Sequence, residues 1–451
     1  MSLLSFVRKL VNRLFPIKDI KTALDVKLGV SNDMLNAILL WDRCYKGTAD
    51  WLHIDGEEDI HSLRIEQSVC SIFADSVLSE MTATCENERI QKALEKTIAR
   101  LGEEFEKGLA TGALIIKPLG DSGTVQFIPQ SEFLPVSYDS DKRIRDVIFP
   151  DFLKIGDNFY TRLEYHKLTD AGLEITNRAF KSSTEQNLGF EVPLDSVAQW
   201  ADIEPYSFYP GMTRPAFGYY VNPRANTIDS GSKAGISIFE RAIDTISDAD
   251  RQFARLDYEY DSAERAVHVD DNALKLTKSG VLGLPKRHRR LYRGLNLSGG
   301  NEELFKEFSP AIRDENYRNG LDSYLRLIEM QTGLAYGDLS NPQSVDKTAT
   351  EVKSAKHRKY ETVTAIQKQL AKCLEDYVYA QAFWFGRTAQ NPQLQINFED
   401  SILQTDEEKR RQDMQDVAAG LMNAWEYRMK WYGEDEETAK ANVPPTAQVM
   451  M

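Results

Sequence analysis

From residue 236 to 263 the apolar positions Phe239, Ala242, Ile246, Ala249, Phe253, Leu256, Tyr260 and Ala263 recur at steps of three and four. That spacing predicts one long helix with a single apolar stripe. Its other faces carry Asp244, Asp248, Asp250, Asp257, Glu259 and Asp261 against Arg241, Arg251 and Arg255. A helix divided in this way packs along a partner and turns acid toward solvent or toward a lumen. Tyr317, Leu321, Tyr324 and Ile328 predict a second stripe. A third runs through Val352, Ala355, Val363, Ile366, Leu370, Cys373, Tyr377, Ala380 and Trp384, broken only where Lys359 takes an apolar step. Between the second and third lies GLAYGDLSNPQSVDKTAT (333–350), which reads as a loop. Gly333 and Gly337 suit a helix stop, Asn341-Pro342 a turn, and Thr348 or Thr350 a cap for the next helix.

The first half of the chain changes period. Residues 35–45, 65–81 and 90–109 repeat as helices. From 113 onward the period drops to two, over 113–117, 125–129, 133–137, 145–149, 160–167 and 173–180, with turn signals between them. This predicts an antiparallel meander, and so an α+β fold. Residues 183–223 are rich in Pro and aromatics and read as irregular. Between 264 and 312 short strands are predicted at 267–269 and 281–284, beside the basic cluster Lys286, Arg287, Arg289, Arg290 and Arg293. Such a cluster fits nucleic acid, an acidic partner surface, or a plain exposed turn. Residues 394–398 predict a strand and 406–432 a helix with break points at Gly420 and Asn423, before a frayed acidic tail from 434. At the other end, Leu3, Phe6, Val7, Leu10, Leu14 and Phe15 share a helical face near Arg8, Lys9, Arg13, Lys18 and Lys21. That helix fits a membrane surface, its own protein or a neighbouring chain.

At 451 residues, with 42% hydrophobic and 27% charged side chains, there is material for roughly two to four domains with real cores. A net charge of −14 argues against tight unspecific duplex binding, which comes from neutralised phosphates. It leaves open a protein that surrounds DNA without gripping it. Cys44, Cys70, Cys85 and Cys373 form no CxxC pair, which points to a reducing compartment and away from a cysteine zinc site. No apolar run reaches membrane-spanning length and no signal-peptide pattern is present, so a cytosolic origin is expected. GxxxxGK(S/T), HExxH and GxSxG are absent, and no GxGxxG follows a strand. His53 and His61 flank acids without a ligand spacing, and Asp139, Asp141 and Asp146 lack the Gly and Glu of a calcium loop. The expectation is no catalytic residue, no metal and no cofactor.

Five words stand in a telling order: FYTRLEYHKL (159–168), TNRAFKS (176–182), GISIFERAIDTISDAD (235–250), TGLAYGDLSNPQSVDKTATEVKSAKHRKYETV (332–363) and AGLMNAWEYRMKWYG (419–433). Together they resemble the portal proteins of tailed bacteriophages, in the branch found in siphophages of Gram-positive hosts and their prophages. The resemblance covers roughly residues 30–440. It implies a non-enzymatic ring of about twelve copies around a channel at one capsid vertex. Double-stranded DNA would be packaged and ejected through it.

The implied parts are an N-terminal amphipathic arm (1–24), an α/β wing (25–234), a stem helix (235–263), a small α/β clip (264–312) and a returning stem helix (313–332). A tunnel loop (333–347), a long spine helix with a wing strand (348–403), and a short helical crown with the tail (404–451) follow. The resemblance puts Asn341, Gln343, Ser344, Lys347 and Thr348 against DNA, with Gly333, Gly337 and Pro342 as loop hinges. It lines the channel with Asp244, Asp248, Asp257 and Asp261, and gives Lys286, Arg287, Arg289, Arg290 and Arg293 to adaptor or motor docking. Implied partners are the terminase large subunit, the head–tail adaptor, and the major capsid and scaffolding proteins, with no membrane. The implied location is the portal vertex of the virion, after assembly in the host cytoplasm. A carboxylate-lined passage fits a sliding polyanion, since each neutralised phosphate would add affinity and slow transit. Two other readings stay open: a metal-dependent nucleic-acid-processing enzyme, and a peripheral membrane scaffold using residues 1–15.

Overall fold

Ser31 opens the first long helix by accepting from the Met34 amide at 3.2 Å. Asn87 opens another by accepting from the amides of Arg89 and Ile90. Both satisfy donors that a helix start leaves without partners. These elements belong to a computed structural model that describes residues 17–53, 60–264, 266–270, 292–295, 305–342, 349–386, 392–398 and 406–443. Among them the fold mixes helix and sheet as an α+β protein. The helices are α1 (Ile17–Leu24), α2 (Asn32–Tyr45), α3 (Ile65–Leu78), α4 (Glu88–Thr111), α5 (Ile243–Ser262), α6 (Asp314–Thr332), α7 (Ala349–Gly386), α8 (Asp406–Ala418), α9 (Ala424–Tyr432) and α10 (Glu436–Ala441). The strands are β1 (Met81–Cys85), β2 (Ala113–Pro118), β3 (Val125–Pro129), β4 (Leu134–Tyr138), β5 (Ile144–Ile155), β6 (Asn158–Thr169) and β7 (Gly172–Ser182). They continue with β8 (Phe190–Val192), β9 (Tyr206–Pro210), β10 (Gly218–Val221), β11 (Ala266–Asp270), β12 (Tyr292–Leu295), β13 (Phe305–Phe308) and β14 (Leu394–Phe398).

The alternating stretch does not form one meander. Strands β4 to β8 do run antiparallel in sequence order, with β9 joining along β7. Strands β2 and β3 instead form a separate sheet with β10, which lies in the segment read as irregular. Every residue of β2 is buried, so its sequence carries no alternation to reveal a solvent face or a partner. Strand β1, of which only Met81 falls in the helix expected over 65–81, pairs with β14 in the register Met81 to Phe398. Threonines 82 and 84 favour extended backbone there, and the partner strand lies far along the chain.

The core forms where α4 and α7 face each other and the inner sheet. Leu94, Leu101 and Phe105 pack with Ile366, Leu370, Cys373 and Tyr377, all buried. The Tyr377 hydroxyl, inside this layer, meets Thr97 Oγ1 at 2.8 Å. Helix α7 continues unbroken for 38 residues, about 57 Å at the usual helical rise. Helix α5 begins at Ile243, not at 236. Residues 236–239 are held outside the helix because the Ile238 amide donates to Leu109 O at 3.0 Å. Asn222 Nδ2 donates to the carbonyls of Ile236 and Leu109 at 2.8 and 2.9 Å.

At the C-terminal end Gly420 takes φ +73° and Asn423 forms a capping box with Glu426, which starts α9. The tail expected to fray forms α10: Asp435 accepts from the Thr438 amide at 2.7 Å, and Arg428 pairs with Glu434 at 2.6 Å. The arm residues 1–16, the strand expected at 281–284, and the basic residues Lys286, Arg287, Arg289 and Arg290 lie outside the described residues.

Candidate functional site

The apolar stripes of α5 and α6 turn toward each other, and the two helices pack as an antiparallel hairpin. Ile246, Ala249, Leu256 and Ile328 are buried. Gln252 Nε2 donates to Tyr317 O at 3.2 Å, and Arg318 Nη2 donates to the Tyr260 hydroxyl at 2.6 Å. At the far end Glu259 receives the Arg313 amide and Nε at 3.1 Å and Nη2 at 2.7 Å. These hydrogen bonds from the Arg313 side chain and backbone hold the Glu259 carboxyl below its ordinary range. Asp244, Asp248, Asp257 and Asp261 are all exposed along α5.

Two acids of α5 do not join them. Glu259 is taken by Arg313. Asp250 is turned inward, where it accepts from Trp51 Nε1 at 2.9 Å and from the Leu63 amide at 2.8 Å.

Where α6 ends, the chain folds back over its own last turn. Gly333 takes φ +88° and its amide closes onto Glu329 O at 3.0 Å. A Cβ at this position would stand 2.7 Å from Thr362 Oγ1 on α7. Arg224 donates to the Thr332 carbonyl just before it. The next residues gather around one buried carboxylate, that of Glu329. Its Oε1 accepts from the amides of Gly337 at 3.1 Å, Leu339 at 2.7 Å and Ser340 at 2.8 Å. Its Oε2 accepts from Ser340 Oγ at 3.0 Å. A carboxylate that converges backbone amides in this way acts as an internal template for a turn.

Asp338 supports the same turn. It accepts from the Ala335 amide at 2.9 Å and from Lys359 Nζ at 3.2 Å. The lysine that interrupts the apolar stripe of α7 therefore ties the loop to that helix. Beyond it, Asp322 Oδ1 accepts from the Asn341 amide at 2.7 Å, and Tyr336 OH donates to Asn341 O at 3.2 Å.

Of the residues singled out from the sequence, Gly333, Gly337, Asn341 and Pro342 all fall in this turn, where Gly337 bonds the Glu329 carboxylate, Gly333 its backbone carbonyl and Asn341 the Asp322 carboxylate, with Asn341 and Pro342 exposed. Gly337 also takes φ +88° and lies against Pro342. Gln343, Ser344, Lys347 and Thr348 fall outside the described residues. Arg293 lies in β12, opposite His268 of β11. Glu329, Asp322 and Asp338, which build this turn, carry no sequence signal for it: each accepts from backbone amides, which any sequence offers, and Asp322 and Asp338 add one cation apiece, Arg326 and Lys359.

No family model matches the chain, and comparison with curated proteins finds no match. Among the described residues no three His, Cys, Asp or Glu side chains gather as a metal site would require. No described helix is long and apolar enough to cross a membrane.

The hairpin is anchored beside a second buried acid. Glu66 on α3 is 1% exposed. Burial, and then the charge of Asp250, push its carboxyl from 4.5 up to about 7. A raised acid binds its proton more tightly folded than unfolded. Its stabilising contribution is therefore complete below pH 4.5 and is lost as pH rises to about 7. Across that window this one group should lower the unfolding free energy by about 3 kcal/mol. Urea unfolding from pH 4.5 to 8 should show a slope that Glu66→Gln flattens. An unchanged slope in that variant would remove Glu66 as its source.

Proposed function

We propose that this chain is the subunit of a phage portal, a ring whose central channel passes double-stranded DNA into and out of a capsid. The observation that supports this reading is a set of three elements in chain order: an acid-faced hairpin, a turn templated by Glu329, and a 38-residue helix. In this reading α5 and α6 are the stem, the turn at 333–342 is the base of the tunnel loop, and α7 is the spine. Strands β11 to β13 belong to the clip and α8 to α10 to the crown. Asp244, Asp248, Asp257 and Asp261 present fixed negative charge to a polyanion, which keeps phosphates from lodging. In this reading Gln343, Ser344, Lys347 and Thr348 are the tunnel-loop residues that meet the duplex. Arg293 and its basic neighbours meet the terminase motor or the head–tail adaptor. Tyr258 at 72%, Met330 at 56% and Leu327 at 39% exposure leave apolar side chains open on the hairpin, as contact with neighbouring copies requires.

Electron microscopy of the purified full chain tests the reading. A perforated ring of about twelve copies is expected. A compact monomer under every condition, or a pore lined with arginine and lysine, would overturn it. A second measurement reads the acids directly. Replacing Asp244, Asp248, Asp257 and Asp261 together by lysine should make assembled rings retain duplex DNA. The logarithm of affinity should then fall more steeply with the logarithm of salt, by about 0.9 for each phosphate engaged. An unaltered salt slope would put these side chains off the DNA path.

A further inference from the structure

A groove of about 630 Å³ runs between α2 and the β5–β6 hairpin. Leu39, Phe152, Leu153, Phe159 and Tyr160 give it an apolar floor and wall, and Phe152 is 46% exposed. Its polar edge carries Asp42, Glu132 and Glu185 against Lys46 and Lys154, an excess of one acid. Asp42 is paired with Lys46 at 2.6 Å, and Lys154 Nζ lies over the Phe159 ring, which leaves Glu132 and Glu185 for a basic occupant. Burial, and then the charge of Asp42, raise the Glu132 carboxyl. The groove therefore suits an occupant that is apolar on one side and basic at its margins.

The chain carries such a segment, and it starts nearby. Residues 3–15 put Leu3, Phe6, Val7, Leu10 and Leu14 on one helical face, flanked by Arg8, Lys9 and Arg13. Immediately after it, Ile17 is buried in α1, and Asp19 Oδ2 accepts from the Leu188 amide at 3.1 Å. Arg178 fixes the other end of α1 by donating to the Ala23 carbonyl. Leu188 stands three positions, at most about 11 Å of chain, from Glu185 on the groove's edge. Thirteen residues as a helix span about 20 Å, so the segment reaches along the groove without a linker.

We propose that residues 3–15 dock into this groove of their own chain, laying the apolar face on Phe152 and Phe159 and bringing Arg8, Lys9 and Arg13 to Glu132 and Glu185. The docking is independent of whether copies form a ring, and its test reads the groove alone. The four native cysteines are buried, so in a Phe152→Cys variant a maleimide reports on the new thiol. That thiol should react about tenfold more slowly in the full chain than in the same variant lacking residues 2–15, a factor equal to about 1.4 kcal/mol of docking. The charge reversal R8E/K9E/R13E in the full chain should also speed labelling, which keeps the test decisive if the shortened chain does not fold. Equal rates in all three proteins overturn the proposal. So does protection that fades on dilution, which assigns the groove to a second copy. Protection that disappears when phosphatidylserine vesicles are added, with the full chain floating on them, assigns the arm to a membrane surface and overturns it too.

Discussion

Replacing Glu329 by alanine is expected to free the turn at 333–342 while leaving the α5–α6 hairpin folded. The carboxylate is the shared acceptor for the Gly337, Leu339 and Ser340 amides and for the Ser340 hydroxyl. Truncation strips all four at once, and Ser340 itself is buried. Hydrogen bonds to a charged acceptor contribute about 1.5–3 kcal/mol each, and groups sharing one acceptor do not add. A local loss of about 3–5 kcal/mol follows. Exchange of the Gly337, Leu339 and Ser340 amides should therefore accelerate by about two to four powers of ten, while amides in the middle of α6 keep their protection. Glu329→Gln retains one oxygen acceptor and should fall between the two. If the three amides stay protected in the alanine variant, Asp322 and Lys359 hold the turn and Glu329 does not. In the proposed channel the alanine variant should still form rings but should fail to package DNA, because its loop has lost the shape of its base.

What could be read from the chain was set by how local each signal is. Helical stripes are local, so Leu256, Ile328, Ile366 and Tyr377 stand buried where their spacing put them. The Gly420 and Asn423 signals sit on the break between α8 and α9. Partners distant along the chain left no such trace. Asp250 belonged by spacing to an exposed acid face, yet Trp51, 199 positions away, draws it inward. Lys359 was visible as a break in a pattern, but nothing near it named Asp338 as the reason. The same division runs through a buried cluster on β6. Arg162, Glu164 and His166 alternate along one face as a strand dictates. Lys117, which reaches Glu164 from β2, arrives from a different sheet. Buried charge in such a cluster persists because each member has a partner, with His166 Nε2 at 2.7 Å and Arg162 Nη1 at 3.1 Å from the Glu164 carboxylate. The turn on Glu329 is the extreme of this rule, since backbone amides have no sequence signature.

The second large effect is expected at Gly235, where the chain passes from β10 toward α5. A Cβ there would fall far inside contact distance of the Gly112 carbonyl oxygen, 2.8 Å from its carbon and 2.9 Å from Val221 Cγ2. Most of what it meets is backbone, and that backbone is fixed. Gly112 ends α4 at φ +104°, with its amide on Gly108 O at 2.9 Å. The Gly112 carbonyl accepts from the Asn222 amide at 2.9 Å, and Asn222 in turn holds Ile236 and Leu109. A methyl group at 235 cannot be admitted without separating α4 from the entry to α5 and breaking that set of bonds. The cost should reach at least about 3 kcal/mol, the upper part of what overpacking produces. Gly235→Ala should show a lower urea midpoint and a low soluble yield. Gly102→Ala is the matched control: it lies within α4 with no atom within 4 Å of the added carbon. It should be neutral or stabilise by about 0.5–1 kcal/mol through helix propensity and reduced chain entropy. If Gly235→Ala unfolds at the same midpoint as the native chain, the α4–α5 junction is loose. The fixed geometry that the hairpin inherits from it would then be lost, and with it the alignment of the exposed acids along α5.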